Sequence, residues 1–152
     1  KVPARWGHVS EVVGMARGTG TLIIGNGDVK DLADARVKAD ETGADGIMLG
    51  RAIFGNPWLF QGESSVLRGL SSEQHVKEKL RVMVEHTKLF RELLGDIKNF
   101  AVMKKHYKAY VNGFDGAREL RVKLMETSTP EEVEEIVGNF LNTTRHNEMF
   151  SL

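Results

Sequence analysis

Two glycine-rich segments carry the residues whose types and spacing are most specific for chemistry. Gly25-Asn26-Gly27-Asp28 follows one short apolar segment, and Gly50-Arg51 follows another about 25 residues later. Glycines let main-chain amides come close to a ligand, and phosphate oxygens accept hydrogen bonds from such amides. An arginine can add a charge-assisted hydrogen bond to the same anion. These residues favour a phosphate site, but the same glycines are equally compatible with two ordinary tight turns.

The segments around these glycines have the pattern of a strand, a helix and a second strand. Residues 21–25 and 46–50 are short and apolar and end in glycine, as buried parallel strands do. Between them, residues 31–42 are predicted to form a helix, with Asp31 as its N-cap and Gly43 at its end. In (β/α)8 barrels, a phosphate commonly binds the loops that follow the last two strands. The spacing of the two glycine segments suits such a site.

From residue 71 onward the apolar pattern becomes that of helices. Ser71 and Gln74 form a predicted capping box, and the helix that follows should end at Gly95. Its apolar stripe consists of Val76, Leu80, Met83, Thr87, Phe90 and Leu94. Further helices are predicted at residues 97–112, at residues 116–126 and from Pro130 onward. Four helices with short connections indicate a small bundle.

The basic residues are unevenly distributed although the formal net charge is zero. Residues 98–123 contain seven basic and two acidic side chains. A solvated helix face is the usual explanation of such a run, and contact with RNA phosphates is the alternative. Tyr107 and Tyr110 lie in the same run, and we expect them to pack against the first helix of the bundle.

Composition excludes several classes of site. The sequence contains no cysteine, which rules out disulfides, thiolate metal ligands and cysteine nucleophiles and agrees with a cytoplasmic setting. No apolar segment approaches the ~20 residues that a membrane span needs, so no membrane is expected as a partner. The five histidines lack the spacing of ligand motifs such as H-E-x-x-H, and no metal site is predicted.

Several separated motifs together resemble those of the tRNA-dihydrouridine synthases. They are Ile-Gly-Asn-Gly-Asp-Val at residues 24–29, Thr-Gly-Ala-Asp-Gly-Ile-Met-Leu-Gly-Arg at residues 42–51 and Gly-Asn-Pro-Trp-Leu-Phe at residues 55–60. In the second half, Lys105-His-Tyr107, the Gly-Phe-x-Gly-Ala motif of residues 113–117 and Leu120-Arg121 resemble the tRNA-facing helices of that family. Members are FMN-dependent (β/α)8 enzymes with a C-terminal helical domain.

The resemblance implies roles for particular residues. The FMN phosphate would be held by Asn26, Gly27, Asp28, Gly50 and Arg51. The RNA backbone would be contacted by Lys104, Lys105, Lys108, Arg118 and Arg121. The family reduces a uracil double bond with flavin that NADPH has reduced, and it uses a cysteine as the acid. Because this sequence has no cysteine, no catalytic residue is assigned and the chain is expected to be inactive alone.

The expected fold class is α/β plus all-α, namely the last βα units of a (β/α)8 TIM barrel followed by a helical bundle. Residues 1–61 would be the partial barrel, residues 62–70 a linker and residues 71–152 the tRNA-binding domain. A full barrel needs ~250 residues, so we expect a fragment whose exposed strands associate as a homo-oligomer. An RNA-binding or assembly module with a vestigial flavin half-site is the alternative. A barrel like dihydroorotate dehydrogenase is a weaker one, since the helical second half argues against it.

Overall fold

The structure, a computed structural model, describes residues 2–61 and 69–149. The chain forms two compact units, Lys1–Arg68 and Gly69–Leu152. Across the described ranges there are six α-helices and two β-strands. No helix within them is both long and apolar enough to cross a membrane. The predicted linker at residues 62–70 lies outside the described residues except for its last two.

Unit 1 contains the predicted strand–helix–strand arrangement. Its elements are α1 (Gly7–Ala16), β1 (Ile24–Asn26), α2 (Leu32–Thr42), β2 (Gly46–Met48) and two 3-10 turns (Arg51–Ile53 and Leu59–Gln61). The strands are parallel, and Gly25 is paired with Ile47. The side chain of Asp31 accepts a hydrogen bond from the Asp34 N–H at 2.8 Å, and Gly43 ends α2 in the left-handed conformation. Both predicted ends of α2 are therefore confirmed.

The two strands are shorter than the sequence predicted, with three residues each instead of five. At their start, the Asp45 carboxylate accepts a hydrogen bond from the Ile23 N–H at 2.8 Å. The main-chain N–H groups of Asp45 and Gly46 also donate to the Ile23 carbonyl, at 3.0 and 3.4 Å. At the end of β2, Gly50 has φ −97° and ψ −91°, which is not an extended conformation. The second strand therefore ends before Gly50, whereas β1 continues through Gly25 to Asn26.

One face of the two-stranded sheet is covered and the other is open. On the covered face, Gly25 is buried, and a Cβ there would lie 2.6 Å from the ring of Trp6. On the open face, the side chains of Leu22, Ile24 and Met48 are 71%, 59% and 55% exposed. Strands buried on both faces were expected from their apolar composition. Unit 1 therefore buries only one face of these strands, and the face with Leu22, Ile24 and Met48 remains exposed to solvent.

Unit 2 is the predicted four-helix arrangement. Its helices are α3 (Ser72–Leu94), α4 (Val102–Tyr110), α5 (Ala117–Glu126) and α6 (Pro130–Met149). The fully buried core side chains are Leu80, Met83, Thr87, Met103, Tyr107, Val111, Leu120, Leu124 and Val133. Both hydrogen bonds of the capping box between Ser71 and Gln74 are formed, as predicted. Leu94, the last member of the predicted stripe on α3, is 39% exposed instead of buried.

The helix predicted at residues 97–112 is wrong at its start, because α4 begins only at Val102. The side chain of Asn99 accepts a hydrogen bond from the Ala101 N–H at 2.8 Å. Asparagine side chains compete in this way with helical main-chain bonds. The next bonds, from Val102 to Asn99 and from Met103 to Phe100, are also of the tight three-residue type. Residues 95–101 therefore form a connecting loop.

The core of unit 2 predicts the effect of truncating a leucine on α3. Leu80→Ala should destabilise the protein by about 2–5 kcal/mol, because Leu80 is fully buried and its removal leaves a cavity. Leu93→Ala on the same helix is the matched control, since Leu93 is 62% exposed, and it should cost less than about 1 kcal/mol. Urea unfolding followed by helical circular dichroism measures both. Equal losses would contradict this assignment of the core.

Candidate functional site

All five residues predicted to hold a phosphate line one cleft of unit 1. The cleft has a volume of about 330 Å³, and its lining residues are Asn26, Gly27, Asp28, Val29, Gly50 and Arg51. The parallel pairing of β1 and β2 brings the two glycine segments together, since both lie at the carboxyl ends of neighbouring strands. Val29 was not predicted, and its side chain is buried beneath the loop.

The loop after β1 is held by the segment that precedes α1. Gly27 has φ +141°, and a Cβ there would lie 2.6 Å from the Cβ of Ala4, so only glycine fits. The indole N–H of Trp6 donates to the Gly27 carbonyl at 3.1 Å. The Ala4 N–H donates to the Asp28 carboxylate at 3.2 Å. Sequence reasoning missed Ala4 and Trp6, because an alanine and a single aromatic residue carry no motif.

The charged groups of the cleft form an ion pair. The guanidinium of Arg51 donates to the carboxylate of Asp28. Arg51 remains 65% exposed, so this pair adds little to stability. A guanidinium has five N–H donors, and the pair with Asp28 leaves donors that can face an anion. The pair also compensates the negative charge of Asp28, which would otherwise repel a phosphate.

The donors of the cleft fit a phosphate better than a flavin ring. The amide of Asn26 and the guanidinium of Arg51 are suitable donors, and the glycine at position 50 leaves the main chain uncovered. A Cβ at Gly50 would meet nothing within 4 Å, so the cleft is open on that side. Val29 is its sole apolar lining residue within the described part of the chain, and its side chain is buried. The cleft can therefore bind the phosphate end of a nucleotide but offers little surface for an aromatic ring.

The basic residues predicted to contact RNA all lie on α4 and α5. Lys105 and Lys108 on α4 and Arg118 on α5 are exposed, whereas Lys104 is half-buried. Arg121 differs, because its Nη1 donates to the Val111 carbonyl at 2.9 Å, just beyond the end of α4. That bond satisfies a main-chain acceptor that the helix itself leaves open. Arg121 therefore helps to join α4 to α5, whatever else it contacts.

A cluster of two histidines and a tyrosine connects α3 to α4. The rings of His86 and His106 are 5.1 Å apart, and Nδ1 of His86 lies 3.3 Å from the hydroxyl of Tyr110. Burial lowers the pKa of His86. The pKa of His106 is also lowered, first by burial and then by the charges of His86 and Lys105. Tyr110 is 4% exposed and Tyr107 fully buried, which confirms that they pack in the core.

Comparison with known proteins identifies the family of this chain. A family model described as dihydrouridine synthase matches residues 1–146. The chain belongs to the dihydrouridine synthase family. The motifs that suggested this resemblance lie within the matched residues. No group of three or more histidine, aspartate or glutamate side chains in residues 2–61 and 69–149 is arranged to hold a metal ion.

Individual members of the dihydrouridine synthase family are also similar to this chain. A probable tRNA-dihydrouridine synthase of Staphylococcus epidermidis is 35% identical over 144 residues, which cover 92% of this chain and 42% of the relative. One from Staphylococcus aureus strain MRSA252 is 33% identical over 143 residues, with the same coverage. Probable tRNA-dihydrouridine synthase 2 of Bacillus subtilis strain 168 is 32% identical. The chain thus spans about 42% of the length of these relatives.

The histidine cluster predicts that unit 2 loses stability in mild acid. The folded pKa values of His86 and His106 are below the ordinary value near 6.5, so the unfolded chain takes up protons first as the pH falls. The free energy of unfolding should therefore decrease from about pH 7 downward and level off below the two folded pKa values. His86→Gln combined with His106→Gln should make this decrease shallower. Urea unfolding between about pH 5 and 7.5 measures it, and parallel curves for the two proteins would contradict it.

Proposed function

We propose that the protein to which this chain belongs is an FMN-dependent tRNA-dihydrouridine synthase. It is an oxidoreductase that reduces uridine in tRNA to dihydrouridine, and its proposed setting is the cytoplasm. The observation that carries the proposal is the cleft in which Asn26, Gly27, Asp28, Gly50 and Arg51 converge. Membership of the dihydrouridine synthase family and the names of the relatives support it.

In this proposal the cleft of unit 1 binds the phosphate of FMN. The guanidinium of Arg51 and the amide of Asn26 donate to phosphate oxygens, and the glycines permit close approach of the main chain. When bound and reduced, FMN would supply a hydride for the uracil double bond, and NADPH is the proposed source of the electrons. The acid that completes the reduction is not among these 152 residues, since they contain no cysteine. The contribution of this chain is therefore binding and orientation.

The proposed barrel explains the open face of the sheet in unit 1. A (β/α)8 barrel surrounds its strands with helices outside and packed side chains inside. Trp6 and α2 lie on the outer side, and Leu22, Ile24 and Met48 would face the interior. We propose residues 1–61 as the barrel part, 62–70 as a linker and 71–152 as the tRNA-binding domain.

The open apolar face of unit 1 predicts that the isolated chain forms a homo-oligomer. Light scattering that finds a monodisperse monomer of about 17 kDa would exclude it.

Unit 2 is proposed to contact the backbone of tRNA. Lys105, Lys108 and Arg118 are exposed, and the structure gives no carboxylate among the described residues within ion-pair distance of them. Cations of this kind displace the counterions of a nucleic acid and so supply affinity that depends on salt. Lys104 is half-buried and Arg121 is bonded to the main chain, so we expect smaller contributions from these two.

The phosphate site predicts weak and phosphate-dependent binding of FMN. Association costs ~4 kcal/mol or more, and this cleft offers few contacts beyond the phosphate. We expect the 152-residue chain to bind FMN with a Kd above ~1 μM and to bind riboflavin, which lacks the phosphate, more weakly. Quenching of flavin fluorescence and ³¹P NMR of the FMN phosphate measure the two interactions. Sub-micromolar affinity would show that the ring also has a site here and would contradict the half-site.

Arg51→Met tests the role of the guanidinium in the same titration. We expect a roughly 3- to 10-fold weaker affinity for FMN, since one exposed charge-assisted bond is lost. Arg36→Met is the matched control, because Arg36 is exposed on α2 and lies outside the cleft. Unchanged affinity in Arg51→Met would remove this residue from the site. If FMN does not bind at all, the alternative of a vestigial half-site in a non-catalytic module gains support.

The proposed RNA contacts predict a particular dependence on salt. Lys105→Gln combined with Arg118→Gln should weaken tRNA binding and make the log–log slope against salt less steep by roughly two contacts. Lys77→Gln combined with Lys123→Gln removes the same charge from exposed sites on α3 and α5 and is the control. Filter binding between about 50 and 200 mM salt gives both slopes. An unchanged slope in the first variant would mean that these side chains only interact with solvent.

A further inference from the structure

A second cleft in unit 2 gathers basic side chains from different segments. It has a volume of about 400 Å³ and lies between the end of α3, the loop before α4 and the loop before α6. Its lining residues are Arg91, Gly95, Lys98, Asn99, Phe100, Ala101, Lys104, Thr127 and Ser128. Three of them are basic, and none is acidic among the residues that the structure describes there. We propose that this cleft binds a phosphodiester group of an RNA backbone.

The cations of this cleft have no carboxylate partners, unlike their neighbours on α3. Arg81 is paired with Glu78 at 2.8 Å, and Lys88 with Glu134 at 2.7 Å. Within residues 69–143, no carboxylate lies within 4.0 Å of Arg91, Lys98 or Lys104. Three like charges around one concavity repel each other until an anion enters. The local charge is therefore complementary to a phosphate.

The cleft also differs from a solvated helix face. The charges of such a face follow one helix, whereas Arg91 belongs to α3, Lys98 to the following loop and Lys104 to α4. The base of the cleft includes Phe100, which is 9% exposed, and Thr127, which is 3% exposed. A concave surface with one sign of charge and poorly hydrated walls concentrates its field toward an incoming anion. The tertiary structure, and not helical spacing, creates this arrangement.

The chain around the cleft leaves room for Arg91 and supplies uncharged donors. A Cβ at Gly95 would collide with the carbonyl oxygen of Arg91 and lie 2.9 Å from its Cδ, so the glycine leaves room for the Arg91 side chain beside the loop. The oxygen of the Asn99 side chain accepts from Ala101, which leaves its NH₂ group as a donor. Ser128 adds a hydroxyl. The carboxylate of nearby Glu132 does not line the cleft and accepts from the Ser128 N–H at 2.6 Å and the Thr129 N–H at 3.3 Å, at the start of α6.

The shape of the cleft favours a phosphate that is part of a chain. Arg91 and Lys98 are exposed, and the cleft opens to solvent instead of enclosing a small molecule. A guanidinium can bind two oxygens of one phosphodiester, while lysines act as point charges on neighbouring groups. This inference rests on the proposed tRNA substrate but uses residues outside the five basic positions predicted from sequence, apart from Lys104. It therefore extends the proposed interface from α4 and α5 to the end of α3.

The test is tRNA binding by Arg91→Gln combined with Lys98→Gln in the 152-residue chain. Both side chains are exposed, so the fold should be retained, which circular dichroism verifies. We expect roughly tenfold weaker binding at ~0.1 M salt and a log–log salt slope less steep by about one to two. The Lys77→Gln and Lys123→Gln control carries the same charge change, lies outside the cleft and should change the affinity less than about twofold.

The outcomes distinguish a failure of this inference from a failure of the proposed function. If the Arg91 and Lys98 variant binds like the control, the cleft is not a phosphate site. If it does so while the Lys105 and Arg118 variant loses affinity, the proposed function remains and only this inference fails. No tRNA binding by the unaltered chain even at ~50 mM salt would overturn both. Displacement of tRNA by ~1 mM inorganic phosphate at matched ionic strength would assign the cleft to a free anion and overturn the RNA assignment.

Discussion

The packing of Trp6 on Gly25 holds the cleft of unit 1 in place. A side chain at position 25 would collide with the indole, and the indole N–H holds the carbonyl of Gly27. The glycines of β1 and its loop therefore serve two purposes. Gly25 makes room for the ring of Trp6, and Gly27 makes room for Ala4 and adopts a positive φ that only glycine tolerates. The shape of the cleft depends on residues that do not themselves line it.

A carboxylate in the proposed phosphate site needs a compensating charge, and the structure shows how Asp28 obtains one. The carboxylate accepts hydrogen bonds from the Ala4 N–H and from the guanidinium of Arg51. It thus positions the arginine at the cleft and anchors the loop after β1 to the segment before α1. Because the arginine is largely exposed, its exchange between the carboxylate and a phosphate carries a small energetic cost. Asp28 therefore both anchors the loop and orients the guanidinium of Arg51.

Unit 2 separates the burial of apolar side chains from the presentation of charge. Tyr107, Met103 and Val111 turn one face of α4 into the core, which leaves Lys105 and Lys108 in solvent. Arg121 is used where a main-chain carbonyl remains open beyond the end of α4. Basic residues of one sequence run thus have different roles. Their roles follow from the neighbours that the fold gives each one, and the run as a whole does not predict them.

Local interactions explain what could be predicted from the sequence by itself. The cap at Asp31, the left-handed Gly43 and the capping box at Ser71 involve residues a few positions apart, so their types and spacing suffice. Apolar periodicity likewise predicted the four helices of unit 2, apart from the start of α4, and the glycine motifs predicted which residues line the cleft of unit 1. The tertiary structure alone decided the length of the strands, the contacts of Trp6 and the convergence of Arg91 with Lys98 and Lys104. These features join segments that are far apart along the chain, and no local pattern records which distant backbone or charge will become a neighbour.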